Sequence, residues 1–255
     1  MIEQLKKDKK TGRVSFLLKN SSPAFANSLR RLMMEFVPTM AIEDVTFVKN
    51  DGALYDEMLA HRLGLVPLTT DLKGYDIKKA EDEVSAKNSI KLTLSAKGPC
   101  TVYSGDLKSK DPKVKPVFPN MPLVKLLKGQ ELELEATAVL GLGKQHVKFT
   151  PCLAWYVYQP KVTINNNHKQ FDEFKDKYPP QAFTNGKLDA KLIEQHNLYE
   201  AVDGINDEIV KVERDPTTFI FTIEPWGQLS CAEILATACD SFTELLNQFS
   251  EALEK

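Results

Sequence analysis

The feature that most constrains the fold is a regular apolar stripe near the end of the printed sequence. Ser230 is suited to cap a helix, and apolar residues then recur at spacings of 3, 4, 3, 4 and 4. The stripe consists of Leu235, Ala238, Phe242, Leu245, Phe249 and Leu253. The pattern predicts a helix about 35 Å long. Because a lone helix is not stable in water, the stripe must be buried on the chain's own sheet or against another chain.

A second amphipathic helix is predicted over residues 22–37. Ser22 can cap it, Pro23 suits its first turn, and Pro38 ends it. Its apolar residues lie at helical spacing on one face: Phe25, Leu29, Leu32, Met33 and Phe36. These residues therefore predict a helix that packs along one side.

A third helix is predicted within residues 54–64. Asp56 and Glu57 fall in its first turn and Arg62 in its last turn, as the helix dipole favours. Gly64 is expected just past its end, in the left-handed conformation. The glycine therefore predicts where this helix stops.

Alternating and apolar runs predict strands between and after these helices. The predicted strands cover residues 13–18, 41–48, 91–94, 132–140, 146–150, 153–158 and 217–223. Residues 161–216 are more polar and predict a small module with short helices near 171–177 and 187–198. Together the patterns predict an α+β fold.

Composition and charge argue against several classes of protein. The net charge is only -2, which disfavours a protein that grips nucleic acid alone. The alternative of a free-standing nucleic-acid-binding protein would use the basic residues Lys6, Lys7, Lys9, Lys10 and Arg13. No apolar run is long enough for a transmembrane helix, and no secretory signal is expected. The four scattered cysteines predict free thiols in a reducing cytoplasm and disfavour a metal or redox enzyme.

No constellation in the sequence predicts catalysis. His61 is near acidic residues and can be imagined as a general base, but its position favours a structural helix-end histidine. Residues 141–144 (GLGK) resemble a fragment of a phosphate loop, yet they lack its frame and a strand-like segment follows. A glycine hairpin is the favoured interpretation, and we expect no catalytic residue.

Two segments resemble the alpha-like subunits of RNA polymerase. Residues 27–33 (NSLRRLM) resemble that family's NxLRRxL signature, and residues 56–68 (DEMLAHRLGLVPL) match a highly specific string. The likeness covers about residues 12–160 and the terminal helix, and it is weakest over 161–216. Within the family the chain looks most like the archaeal members, which are counterparts of the third-largest subunit of eukaryotic polymerase II and of the bacterial alpha N-terminal domain.

The resemblance implies a domain organisation that composition alone does not show. It implies a dimerisation domain formed by both chain ends, residues 1–45 and 217–255, with an inserted, mostly β, α+β domain at 46–160. The small module at 161–216 would correspond to the family's iron–sulfur domain. This chain has no cysteine between Leu153 and Ser230 and none in residues 70–98. We therefore expect neither an iron–sulfur cluster nor zinc.

The resemblance also implies partners. The chain would pair helix to helix with the small subunit L and would then recruit the small zinc subunits N and P and the large catalytic subunits. The expected L-facing residues are Phe25, Leu29, Leu32, Met33, Phe36, Leu235, Phe242, Leu245 and Phe249. Arg30 and Arg31 are expected to dock the second-largest subunit, since a guanidinium can bind carboxylates in a bidentate manner; a solvated helix face is the alternative. Direct DNA contact would be slight or absent, and no membrane is involved.

Overall fold

The computed structural model describes residues 2–77 and 85–254 and shows an α+β fold. Across those residues the chain forms long helices near both ends and shorter ones between them. The helices are α1 Pro23–Glu35, α2 Asp56–Gly64, α3 Phe171–Phe174, α4 Ala190–Gln195, α5 Tyr199–Val202 and α6 Cys231–Leu253. The helices predicted over 22–37 and 54–64 and from Ser230 onward are therefore confirmed, with small shifts at their ends.

Most of the predicted strands are confirmed and several are longer than expected. The strands are β1 Ile2–Lys7, β2 Val14–Leu18, β3 Pro38–Asn50, β4 Ser89–Lys97, β5 Cys100–Tyr103, β6 Lys108–Ser109, β7 Pro122–Leu126, β8 Glu131–Leu142, β9 Cys152–Ile164, β10 Phe183–Thr184, β11 Lys187–Leu188 and β12 Val210–Pro225. They form two four-stranded sheets, ordered β1-β2-β12-β9 and β3-β8-β4-β6, and two small sheets, β5-β7 and β10-β11.

The chain divides into two compact units. The larger comprises Gln4–Phe16, Asn27–Trp155 and Thr222–Lys255. The smaller comprises Met1–Glu3, Leu17–Ala26 and Tyr156–Phe221. The three-part division expected from the resemblance stays a prediction.

The main core of the larger unit lies against the β3-β8-β4-β6 sheet. Strand β8 pairs antiparallel with both β3 and β4, and its buried residues alternate from Leu132 to Ala138, as a half-buried strand requires. Helix α2 adds Leu59 and Leu63 to this core, and both side chains are fully buried. These contacts explain why the helix has one apolar stripe and one charged face.

Residues far apart in sequence meet within the same unit. The hydroxyls of Ser15 and Thr222 lie 3.1 Å apart on neighbouring strands. The thiol of Cys231, at the start of α6, donates to the carbonyl oxygen of Gly12 at 3.3 Å. The beginning of the chain and the segment leading into α6 therefore fold together.

The smaller unit has its own apolar core. Phe171, Tyr178, Ile193 and Val202 are buried in it. Arg214 joins α5 to β12 because its guanidinium donates to carboxylates of the α5 region, Glu200 at 2.8 Å and Asp203 at 3.0 Å. The short helices predicted near 171–177 and 187–198 are present in this unit.

Two local predictions were wrong. Residues 146–150 do not form a strand, because Val147–Phe149 close a single 3-10 turn in which the imidazole Nδ1 of His146 accepts from the amide of Lys148 at 3.1 Å. Gly64 is the last residue of α2 and not a left-handed cap; the capping residue is Leu65, with φ of -89°. There the Leu65 amide donates to the carbonyl oxygen of Arg62 at 3.3 Å and the Val66 amide donates to that of Leu63 at 3.1 Å, so the helix closes without a left-handed residue.

Candidate partner interface

The start of α6 is fixed by a reciprocal cap. The Ser230 hydroxyl accepts from the Glu233 amide at 3.3 Å, and the Glu233 carboxylate accepts from the Ser230 amide at 2.9 Å. The Ser230 hydroxyl also donates to that carboxylate at 2.7 Å, which is the main reason why the pKa of Glu233 lies below its ordinary value. The helix therefore begins at a defined residue and runs in a fixed direction.

The two halves of α6 have different surroundings. Cys231, Ile234 and Ala238 are buried against the chain itself, and the Ser241 hydroxyl donates to the carbonyl oxygen of Phe36 at 3.2 Å. Beyond that bond the apolar residues become progressively more exposed. Their exposed fractions are 36% for Leu245, 51% for Leu246, 63% for Phe249 and 71% for Leu253. The last turns of α6 therefore present an apolar stripe that no described part of this chain covers.

A groove runs between this stripe and α1. It encloses about 310 Å³. Residues from both helices line it: Asn27, Ser28, Arg31, Leu32, Phe36, Phe242, Leu245 and Leu246. The groove has apolar walls with polar groups on the α1 side, which suits the face of another helix.

The structure brings together only some of the residues predicted to face subunit L. Leu32, Phe36, Phe242 and Leu245 line the groove. Leu29 and Met33 do not, since both are buried in the chain's own core together with most of Leu32. Leu235 is half-buried, while Phe25 and Phe249 are exposed outside the groove. Only part of the predicted interface is therefore accessible to a partner. The assignment of these residues to subunit L stays a prediction.

Leu246 lines the groove and was missed in the sequence. It lies four residues after Phe242 and three before Phe249, so helical spacing places it on the same face. A heptad register that places Leu245 in the apolar seam leaves Leu246 outside that seam. A broader apolar stripe, as in an ordinary amphipathic helix, would have included it.

Arg30 and Arg31 are both bound within their own helix. The Arg31 guanidinium forms two hydrogen bonds of 3.0 Å with the Glu35 carboxylate, and these lower the pKa of Glu35. Arg30 donates to the side-chain oxygen of Asn27 at 2.9 and 3.2 Å. These contacts orient both side chains along α1, and docking of the second-largest subunit there stays a prediction.

The charged residues of α2 have structural contacts. Asn50 donates to the Asp56 carboxylate at 2.7 Å, and Arg62 donates to the carbonyl oxygen of Pro122 at 2.7 Å. Within residues 2–77 and 85–254 no group of three histidine, cysteine or acidic residues is placed to hold a metal ion. The expected absence of an iron–sulfur cluster and of zinc stays a prediction.

Close packing explains the glycines of the phosphate-loop-like segment. A Cβ at Gly141 would lie 2.6 Å from the ring of Phe149, and one at Gly143 would collide with the carbonyl oxygen of Met34. The Lys144 amide donates to the carbonyl oxygen of Glu35 at 3.0 Å. The segment therefore lies against α1 and the 3-10 turn, with packing instead of phosphate binding to account for its glycines.

Comparisons with known proteins agree on one family. A family model described as the RNA polymerase Rpb3/RpoA insert domain matches residues 42–151. DNA-directed RNA polymerase subunit Rpo3 of Pyrococcus furiosus is 37% identical, covering 97% of this chain and 95% of the relative. The Rpo3 subunit of Thermococcus kodakarensis is 34% identical, covering 100% of this chain and 99% of the relative. That of Methanosarcina acetivorans is 40% identical, covering 88% of this chain and 88% of the relative. Among the described residues, no helix is both long and apolar enough to cross a membrane.

Proposed function

Because this chain belongs to the Rpo3 family of archaeal DNA-directed RNA polymerase subunits, we propose that it is the assembly subunit that pairs with the small subunit L. The chain is thus a component of the transcription machinery. Its own task is to provide docking surface, and the chemistry of nucleotide addition belongs to the large subunits. The pair would then recruit the small zinc subunits N and P and the large catalytic subunits in the cytoplasm.

The observation that carries this proposal is the uncovered apolar end of α6. Leu246, Phe249 and Leu253 each have more than half of their surface exposed. Apolar residues clustered in this way along one helix face mark an interaction surface. The groove beside α1 continues the same surface, so a helix of subunit L would cover both.

We further propose the domain bounds, a role for Arg30 and Arg31, and the absence of metal. The dimerisation domain would comprise residues 1–45 and 217–255, since α1 and α6 form the groove, and residues 46–160 and 161–216 would form the inserted domain and the small module. Arg30 and Arg31 would present their outer edges to the second-largest subunit. The chain would act without an iron–sulfur cluster or zinc and with little or no direct DNA contact.

The test is co-expression of this chain with subunit L. Size-exclusion chromatography with light scattering should give the mass of a one-to-one pair. Leu245→Asp should abolish the pair because it places a carboxylate in the groove, where desolvation is costly. Glu251→Ala, on the opposite side of α6, should leave pairing intact.

Three results would count against the proposal. A chain that stays monomeric in the presence of L would refute it. A steeply salt-dependent affinity of the free chain for DNA would favour a nucleic-acid-binding protein, because Lys6, Lys7 and the neighbouring basic residues are exposed. Stoichiometric iron or zinc in the purified chain would contradict the expected absence of metal.

A further inference from the structure

A second cleft lies in the larger unit and shares no residue with the α1–α6 groove. We call it the Gln228 cleft; it encloses about 320 Å³. Its lining comes from four separate segments of the chain: Leu65, Pro67, Phe118, Met121, Val147, Lys148, Trp226 and Gln228. A volume of this size is at the lower end of the range for ligand pockets.

One wall is the segment that follows β12, and its backbone is held on both sides. The Trp226 amide donates to the carbonyl oxygen of Pro151 at 3.0 Å. The Gln228 carbonyl oxygen accepts from the Thr70 amide at 3.1 Å. Between them Gly227 has a φ of +93°, and an added Cβ would collide with the facing loop. The aromatic ring and the glutamine therefore project from a fixed turn.

The other walls are equally well anchored. The Ser104 amide donates to the carbonyl oxygen of Met121 at 2.9 Å. The Lys148 ammonium donates to the carbonyl oxygen of Ile42 at 3.0 Å and pairs with the Glu43 carboxylate. Because that lysine already has a carboxylate partner, little of its positive charge is left uncompensated in the cleft.

The mouth of the cleft is apolar and exposed. Val147 is 69% exposed, Phe118 51%, Leu65 45% and Trp226 42%. Four large apolar side chains with this exposure around one concave surface are typical of a docking site.

Gln228 distinguishes this cleft from a plain apolar patch. The residue is only 5% exposed, and its side-chain oxygen Oε1 is buried without a hydrogen-bond partner among the described residues. Buried amide oxygens in native proteins nearly always accept a hydrogen bond. The torsion about the last side-chain bond of glutamine has a broad distribution. The Gln228 amide can therefore rotate so that Oε1 accepts from a donor that enters the cleft. The cleft therefore presents one buried acceptor for which the described residues supply no donor.

We propose that the Gln228 cleft receives a tryptophan side chain from a partner polypeptide, whose indole N–H donates to Oε1 of Gln228. Tryptophan combines a large apolar ring with one donor and no acceptor, which matches apolar walls and a single unpaired acceptor. The partner is taken to be another subunit of the polymerase, so the inference rests on the proposed function and adds a second docking point to it.

Two small probes test the hydrogen bond. Binding of indole and of 1-methylindole to the isotopically labelled chain is followed by NMR. Indole should bind between about twofold and tenfold more tightly, the range that one net hydrogen bond supports. Gln228→Leu should remove or reverse this preference, since the methyl group adds apolar surface. Val147→Asp should weaken the binding of both probes, and Gln195→Leu, the same change at an exposed position of α4, should alter the binding of neither.

Equal binding of the two probes, or a preference that survives Gln228→Leu, overturns the assignment of the acceptor. If p-cresol binds the cleft more tightly than indole, the occupant is a tyrosine and the proposal for tryptophan is wrong.

Photo-cross-linking tests the source of the side chain. Benzoylphenylalanine is placed at position 147 in the assembled, purified polymerase, and the cross-linked peptide is identified by mass spectrometry. A peptide of another subunit that contains tryptophan supports the proposal. A peptide without tryptophan, or no cross-link, refutes it. Pairing with L is measured separately by mass, so the failure of this inference and the failure of the proposed function can be told apart.

Discussion

Phe249→Ala should weaken pairing with subunit L while leaving the chain itself folded. The side chain is 63% exposed, so little of the chain's own stability depends on it. Phenylalanine buries about 200 Å² when fully covered, and truncation to alanine would remove roughly 100 Å² of the surface still available to a partner. At about 25 cal/mol per Å², that area corresponds to about 2.5 kcal/mol, or roughly a 60-fold increase in Kd.

The assay is a titration of the chain with purified subunit L by isothermal calorimetry. Glu251→Ala is the matched control. Side chains two positions apart in an α-helix are about 200° apart around its axis, so Glu251 points away from Phe249. The control should change Kd by less than about threefold. Both variants should have a free energy of unfolding within about 0.5 kcal/mol of that of the unmodified chain. A Phe249→Ala chain that binds L as tightly as the control would refute the assignment of this stripe.

Three further predictions concern the chain alone. Gly143→Ala should lower the free energy of unfolding in urea by about 1–3 kcal/mol, because its Cβ would collide with a backbone carbonyl of α1; an unchanged midpoint would contradict this packing. At pH 8, iodoacetamide should label exposed Cys239 and spare Cys152, since burial raises the pKa of Cys152 to about 12; equal labelling in peptide mapping would be inconsistent with that burial. Glu233→Gln should destabilise the chain by about 0.5–1 kcal/mol at pH 7 through the cap with Ser230. Because the pKa of Glu233 is lowered from 4.5, this difference should be full above pH 4.5 and should disappear as the pH falls through the folded-state value; a difference that persists at pH 2 would argue against the cap.

Local signals in the sequence predicted the helices and strands well. Ser230 was expected to cap a helix, and the cap is present; the structure adds that Glu233 completes it as a capping box. The alternation from Leu132 to Ala138 predicted a half-buried strand, and β8 is the strand that both β3 and β4 pair with. These features depend on neighbouring residues, so a pattern of one segment is enough to reveal them.

Features that depend on tertiary contacts could not be predicted in this way. The apolar face of α1 looks the same whether it meets this chain or another, so burial of Leu29 and Met33 in the chain's own core was not readable. The 3-10 turn at Val147–Phe149 is a separate case, because its backbone bonds close locally although its residues alternate between polar and apolar as those of a strand do. The Gln228 cleft combines four segments that are distant in sequence, and no periodicity indicates such a juxtaposition.

The hydrogen bonds that join Ser15 to Thr222 and Gly12 to Cys231 have a consequence for biosynthesis. Each spans more than 200 residues, with separations of 207 and 219. Contacts of such sequence separation form slowly, and during translation the first strands must wait for residues that emerge from the ribosome about 200 positions later. The β3-β8-β4 core is complete by Leu142 and can fold before that point. Under the proposed function, capture of a partner helix by α6 would therefore be a late event, which follows synthesis of the strands that precede this helix.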